Sequence, residues 1–442
     1  MRYLRANESV SLDVKKGETF SVVGESGCGK STLGKTVLGL YRPDGGAVYY
    51  YGRTLDEFVP RYVFDVLKKA ETYRAAYQRD PAVDNAPENA DFQLGIKLLG
   101  GLLCVSEVRF KEGIALVKTR FLSLAALQKA RGNTEKRRRT EARLTEAETR
   151  FSEIKKEYEK DSRFVALEKQ KDDGIDLTRL TNAELRRLRK DLQIVFQDPY
   201  SSLDPRMTVG QIIEEGVATH KYFKRGTPQM REYVLQIMKE CGLQEHMLHR
   251  YPHQFSGGQR QRICIARALA VKPRFIVCDE CVSALDASIQ SQILNLLTEL
   301  KEREGLTYLF ISHDLSVVRH VSDRVAVMYL GEVAEQGKTK ELFENPRHPY
   351  TISLLSAAPT LDFSKKREKI IPEGHMPSPV SPPSGCKYHT RCFMAQERCR
   401  HIPAPVVEVE KGHFVACHFA DKTTEEKRRI AEKNADDSEK ET

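Results

Sequence analysis

Gly24-Glu25-Ser26-Gly27-Cys28-Gly29-Lys30-Ser31, followed by Thr32, fits G-x-x-x-x-G-K-[ST]. Its glycines let backbone N–H groups turn inward around a polyphosphate, and a helix opening at Lys30 adds its positive end. Lys30 is expected to reach the β- and γ-phosphates, with the Ser31 hydroxyl on Mg²⁺. Much later, Phe275-Ile276-Val277-Cys278-Asp279-Glu280 is an apolar run ending in two carboxylates. Asp279 suits the Mg²⁺ shell, and Glu280 can orient or deprotonate an attacking water. Phe255-Ser256-Gly257-Gly258-Gln259-Arg260-Gln261-Arg262 opens a helix with a glycine pair. Its free N–H groups and the Ser256 hydroxyl make a second anion-binding surface. Gln197, in IVFQDP, and His313, in FISHD, each sit just past an apolar strand, where an open sheet places its ligands.

A different chemistry is suggested by Cys386-x5-Cys392-x6-Cys399-x17-Cys417. Zinc sites usually bring ligands in close pairs, and these spacings are wider. Four thiolates also suit a 4Fe–4S cluster, whose larger core tolerates longer loops. Iron–sulfur, zinc and unmetallated thiols all stay open on the spacing. His389, His413 and His418 read as packing or hydrogen-bonding residues. The other six of the ten cysteines are scattered. In a chain with no apolar stretch typical of a secretion signal, thiols or metal ligands are expected rather than disulfides.

These groups need elements to hold them. ETFSVV at 18–23 reads as a buried strand, the glycine turn follows, and Lys30–Leu40 is helical. Ala47–Tyr51 reads as another strand. From Leu177 to about Gly337 apolar strands (LQIVF, FIVCDE, TYLFIS, RVAVMYL) alternate with helices, which implies a parallel sheet flanked by helices. The stretch at 56–173 has no nucleotide-site chemistry and reads as a largely helical insertion with a charged second half. There Leu144, Ala147, Phe151, Ile154 and Tyr158 form one apolar stripe, expected to be a solvated helical hairpin. A Pro-rich stretch (Pro372–Pro383) leads to the cysteines, and 421–442 reads as a charged tail, disordered or a frayed helix.

The chain has 442 residues, 40% hydrophobic and 30% charged, with a net charge of +9. That is globular composition for two or three domains. No apolar run reaches the roughly 18 residues that span a bilayer, so the chain is not expected to cross a membrane. The positive charge is too modest to argue for nucleic acid.

Together the motifs resemble those of ATP-binding-cassette ATPases. Walker A falls at 24–32, the Q-loop glutamine is Gln197, and the signature FSGGQ is at 255–259. Walker B falls at 275–280, the D-loop is Ser283-Ala284-Leu285-Asp286, and the switch histidine is His313. All occur in the family's order, and the resemblance covers about residues 5–55 and 174–420. It implies an α/β fold: a P-loop NTPase core with an antiparallel β-subdomain and a helical subdomain. Around that core stand the insertion and a small cysteine-containing extension at 341–420. The resemblance assigns catalysis to Glu280, His313, Gln197 and Lys30, with Gln197 joining Ser31 and Asp279 at Mg²⁺.

IVFQDPYSSLDPRMTVG, VSALDASIQSQILNLL and NPRHPYTISLLSAAP are similar to the ATPase subunits of bacterial oligopeptide and dipeptide importers, closer to the F type. This implies a peripheral subunit on the cytoplasmic face of the membrane. It would pair with a homologous ATPase, two membrane permeases and an extracytoplasmic peptide-binding protein. The cysteine segment resembles the extension that holds an iron–sulfur site in some members. Two departures stand out: Cys281 where the family usually has Pro, and a shortened N-terminal strand that leaves Tyr3 as the candidate to stack on adenine. A cassette ATPase acting on nucleic acid or the ribosome is the rival class, but there the coiled coil follows the Q-loop, whereas this insertion precedes Gln197. A regulatory subunit with little hydrolysis is disfavoured by intact Glu280 and His313. Import of nickel or another solute stays open, because such subunits do not touch cargo.

Overall fold

The computed structural model describes residues 4–79, 90–130, 134–357, 370, 374–422, 424–427 and 429–430. Tyr3 and residues 371–373 and 431–442 lie outside the described residues. The chain divides into two compact units, 1–41 with 189–442, and 42–188.

The first unit is built on an eight-stranded sheet. Its strands are β1 (Thr19–Val23), β4 (Leu192–Val195), β5 (Phe275–Asp279), β6 (Thr307–Ile311), β7 (Arg324–Tyr329), β8 (Glu332–Lys338), β9 (Val406–Glu410) and β10 (His413–Ala416), while β2 (Tyr49–Tyr50) and β3 (Ile175–Asp176) belong to the second unit. The order is β4-β5-β6-β1-β7-β8-β10-β9. The first five are parallel, as their nearly continuous apolar sequences predict for strands covered on both faces. From β7 onward the pairing is antiparallel, and β10 and β9 extend the sheet into the C-terminal region.

Helices Val209–Thr219, Pro228–Glu240 and Gly257–Leu269 bury Ile213, Val217, Met230, Val234, Met238 and Ile263 against one another and the sheet. Their starts are fixed by side-chain caps from Thr208, Thr227 and Ser256. Cys278 and Cys281 are both buried in this core, one on each side of the Asp279–Glu280 pair.

The second unit is wider than the 56–173 segment. Antiparallel pairing of Tyr49 with Asp176 and Tyr50 with Ile175 draws both flanks into it, and the strand expected over Ala47–Tyr51 is reduced to two residues. The rest is helical around Val63, Leu99, Leu103, Phe110 and Phe121. Helices Glu107–Lys129 and Thr134–Glu157 run antiparallel, cross-linked by Arg109–Glu157, Arg150–Glu112 and Arg120–Glu148. On the charged helix only Ala147 and Ile154 are buried, and the other stripe residues are half-buried.

Residues 421–442 read as a disordered or frayed helical tail, and the start of that stretch is a helical piece held to the body by two residues. Residues 424–427 are helical, Thr424 Oγ1 donates to the Pro346 carbonyl, and the Lys427 ammonium is buried on the Arg347 carbonyl. A lysine can be buried in this way because a backbone carbonyl accepts a hydrogen bond from its ammonium.

Candidate active site

A parallel sheet puts all its carboxyl ends on one edge, and neighbouring strands are only about 4.8 Å apart. Four such ends lie side by side here. β1 runs into Gly24, β5 ends at Asp279, β6 runs into Ser312 and His313, and Gln197 lies just beyond β4. Residues hundreds of positions apart are thereby forced together.

The P-loop follows β1. Gly24 (φ 152°) and Gly29 (φ 102°) are where only glycine fits: a Cβ would lie 2.2 Å from the Met328 carbonyl oxygen and 2.1 Å from that of Ala6. Lys30 is buried and its Nζ donates to the Gly24 and Glu25 carbonyls at 2.8 and 2.9 Å, with the Cys28 sulfur at 3.8 Å. Burial pushes the Cys28 thiol up, so it stays neutral beside that ammonium. Ser26 and Gly27 are exposed at the tip, and Ser31 and Thr32 begin the helix Lys30–Val37. Ser31 Oγ donates to Asp279 Oδ1 at 2.7 Å, uniting two of the three expected Mg²⁺ ligands. Burial raises the Asp279 carboxyl pKa, which favours bringing a positive partner to it.

Glu280 sits beside them in a left-handed backbone conformation (φ 48°), pinned by its N–H on the Ile311 carbonyl at 2.9 Å. One carboxylate oxygen, Oε2, accepts from Gln197 Nε2 at 3.0 Å and meets His313 Nδ1 at 3.2 Å. Gln197, Asp279, Glu280, His313, Lys30 and Ser31 therefore share one sheet edge, whose charges and donors suit a triphosphate with Mg²⁺. A Mg²⁺ held there by Ser31, Asp279 and Gln197 would offset negative charge between the phosphates.

The signature is elsewhere. Ser256 caps the helix Gly257–Leu269 through Gln259 N–H, and the Gln259 side chain accepts from Ser256 N–H. Ser256 and Gly257 are exposed, while Gly258 is buried against Ile289. Among the described residues no hydrogen bond or ion pair joins 256–259 to 24–32.

Three residues at the P-loop were not picked out from the sequence. Asn7 Nδ2 donates to the Gly29 carbonyl at 3.2 Å, and Glu25 N–H donates to Tyr350 Oη at 3.0 Å. Arg391 Nη1 donates to both Glu25 carboxylate oxygens, at 3.0 and 2.9 Å. Asn7 and Arg391 lie outside the nucleotide-site motifs, and Tyr350, though within NPRHPYTISLLSAAP, carries no mark of contact with the P-loop; the one available hint is a basic residue directly beside Cys392.

The four clustered cysteines line one cavity of about 20 Å³ with His348, Tyr388, Met394 and Phe419. Burial pushes the Cys386 thiol up to about 11 and raises those of Cys392 and Cys417. Among the described residues no group of three or more His, Cys, Asp or Glu is arranged to hold a metal ion, so the geometry does not carry the expected metal centre. The donor set is right in kind, with four sulfurs and no carboxylate, but the space is that of a single water. His413 is a hydrogen-bonding residue, with Nε2 2.7 Å from Glu335 Oε1 in the core, and His389 and His418 meet backbone carbonyls.

The sheet edge and its loop define a P-loop nucleotide-binding protein. A family model described as "ABC transporter" matches residues 7–167 and 162–283, and one described as "Oligopeptide/dipeptide transporter, C-terminal region" matches 334–399. The oligopeptide transport ATP-binding protein AppF of Bacillus subtilis (strain 168) is 36% identical over 419 residues, covering 94% of this chain and 90% of that protein. The putative oligopeptide transport ATP-binding protein YkfD of the same organism is 35% identical over 432 residues, covering 97% and 94%. OppF of Salmonella typhimurium, an oligopeptide transport ATP-binding protein, is 49% identical over 246 residues, or 55% of this chain and 73% of that one. The chain belongs to the ABC transporter family of ATP-binding proteins, in the group that carries the oligopeptide/dipeptide transporter C-terminal region. Among the described residues no helix is long and apolar enough to cross a membrane.

Proposed function

We propose that this chain binds and hydrolyses ATP to power import of oligopeptides or dipeptides. It would act at the cytoplasmic face of the membrane with a homologous ATPase, two permease subunits and an extracytoplasmic binding protein. The observation that carries this is the joining of Lys30, Ser31, Gln197, Asp279, Glu280 and His313 at one sheet edge, in a chain that also has the peptide-transporter C-terminal region. Lys30 leaves the loop carbonyls for the phosphates, and residues 24–32 wrap them with backbone N–H groups. Glu280 orients the water and accepts its proton, with Gln197 and His313 fixing the carboxylate. Ser256, Gly257, Gly258 and Gln259 serve the nucleotide held by the partner ATPase. Residues 1–55 with 174–340 form the ATPase domain in this reading, and 341–420 the extension.

The decisive experiment places the chain with its partner ATPase and permeases in liposomes, with binding protein added. Labelled di- and oligopeptides should enter only with ATP, and ATP consumption should rise when the binding protein is loaded. Uptake of nickel in place of peptide would reassign the cargo; no ATP-dependent uptake would overturn the reading.

A second reading concerns the cysteines. The wide spacing Cys386-x5-Cys392-x6-Cys399-x17-Cys417 supports a 4Fe–4S cluster over a structural zinc, although the cavity between the thiols, about 20 Å³, would have to open to receive it. Protein purified without oxygen should be brown, absorb near 400 nm and contain iron and sulfide; colourless, metal-free protein would remove the cluster.

A further inference from the structure

We propose that Arg391 is a positioning residue for the P-loop: it neutralises Glu25, and through it the cysteine segment sets the affinity for ATP. Glu25 is an acid inside the loop that must wrap a polyanion. Left alone, its carboxylate would repel phosphates held by the same loop. Arg391 removes that repulsion. One guanidinium nitrogen bonds both carboxylate oxygens, and the arginine side chain is only 9% exposed. Charge-assisted bonds of this kind are the strong ones.

The arginine is itself held. Its N–H donates to the Tyr388 carbonyl at 3.0 Å, and Tyr388 is buried against Tyr329 and Tyr350 with ring centroids 5.1 and 5.2 Å away. Tyr350 in turn accepts the Glu25 N–H. The same stretch reaches the other end of the loop. Lys387 Nζ meets Glu8 Oε2 at 2.8 Å and Glu332 Oε1 at 2.9 Å, and Asn7, next to Glu8, holds the Gly29 carbonyl. Two cations between Cys386 and Cys392 thus brace both ends of the phosphate loop.

The inference rests on ATP binding at residues 24–32, and the test separates the two. The full-length chain and its R391Q, E25Q and R391Q/E25Q variants are titrated with fluorescent mant-ATP and Mg²⁺, with thermal unfolding measured in parallel. R391Q should weaken binding about tenfold, the scale of one lost charge-assisted bond. E25Q should bind at least as tightly as wild type. In the double variant the acid that needed neutralising is gone, so affinity should return to within about threefold of E25Q. A merely structural arginine would leave the double variant at least as weak as R391Q, and that result overturns the proposal. So does R391Q binding like wild type. Should R391Q not fold, R391K and E25Q decide: R391K keeps the charge and should retain affinity, and E25Q binding more weakly than wild type would be fatal. Wild-type chain that binds no mant-ATP would overturn the ATP reading as well; any other failure touches the brace alone.

Discussion

At the scale of single residues, Glu280 carries the heaviest demand. Its left-handed backbone is uncommon for a residue with a side chain, and it aims the carboxylate where Gln197 and His313 both reach it. Glu280→Gln keeps the shape and loses the base. ATP affinity should change by no more than about twofold, while single-turnover hydrolysis should fall by roughly 10²–10⁴, the range of a positioned general base. Hydrolysis near the wild-type rate would take the base role from Glu280. Residues of this kind were legible from the sequence, because the chemistry requires a given type at a fixed distance from a strand or glycine turn. Arg391 and Tyr350 were not. They lie 366 and 325 residues from the P-loop acid they hold, and nothing local marks their roles.

At the scale of elements, legibility followed burial. β1, β5 and β6 are covered on both faces, so their apolar runs announce them. β9 is mostly exposed and joins the sheet by pairing with β10, a contact that composition does not encode. The C-terminal region also hides a polar core. His348 is buried, its Nδ1 accepts the Tyr350 backbone N–H at 3.0 Å, and its backbone N–H donates to Glu335 Oε2 at 2.8 Å. Burial lowers its pKa from 6.5 to about 4, against the pull of Glu335 and with Lys427 adding to the shift. The ring is therefore neutral in the folded chain. Below pH 6.5 the unfolded chain takes up a proton that the folded one refuses, so this stability is whole above that pH and shrinks as pH falls toward 4. By pH 5 the loss should be roughly 2 kcal/mol. Thermal unfolding followed by tyrosine near-UV signal between pH 7.5 and about 5 should show it. His348→Gln should flatten that dependence; an unaltered slope in the variant would exclude His348 as its source.

At the scale of the whole molecule, the P-loop edge and the signature belong to one chain yet do not meet. The signature helix presents Ser256 and Gly257 at an exposed start, where free N–H groups can receive phosphate oxygens. Its own cap already satisfies the Gln259 N–H, which orients that start before any ligand arrives. If the site is completed by a sister ATPase, ATP is the bond between two chains and its hydrolysis loosens them. Blocking hydrolysis should then trap the pair. Glu280→Gln mixed with its homologous partner and ATP should change in light scattering from a 50.3 kDa species to one with the mass of both chains, and ADP should not support this. Ser256→Arg would place a bulky side chain at the seam. Introduced into the trapped chain, it should abolish the mass increase, since one of the two nucleotide sites can no longer close. Assembly undiminished by that arginine would mean the signature start is not where the chains meet, and ATP would have to act within a single chain.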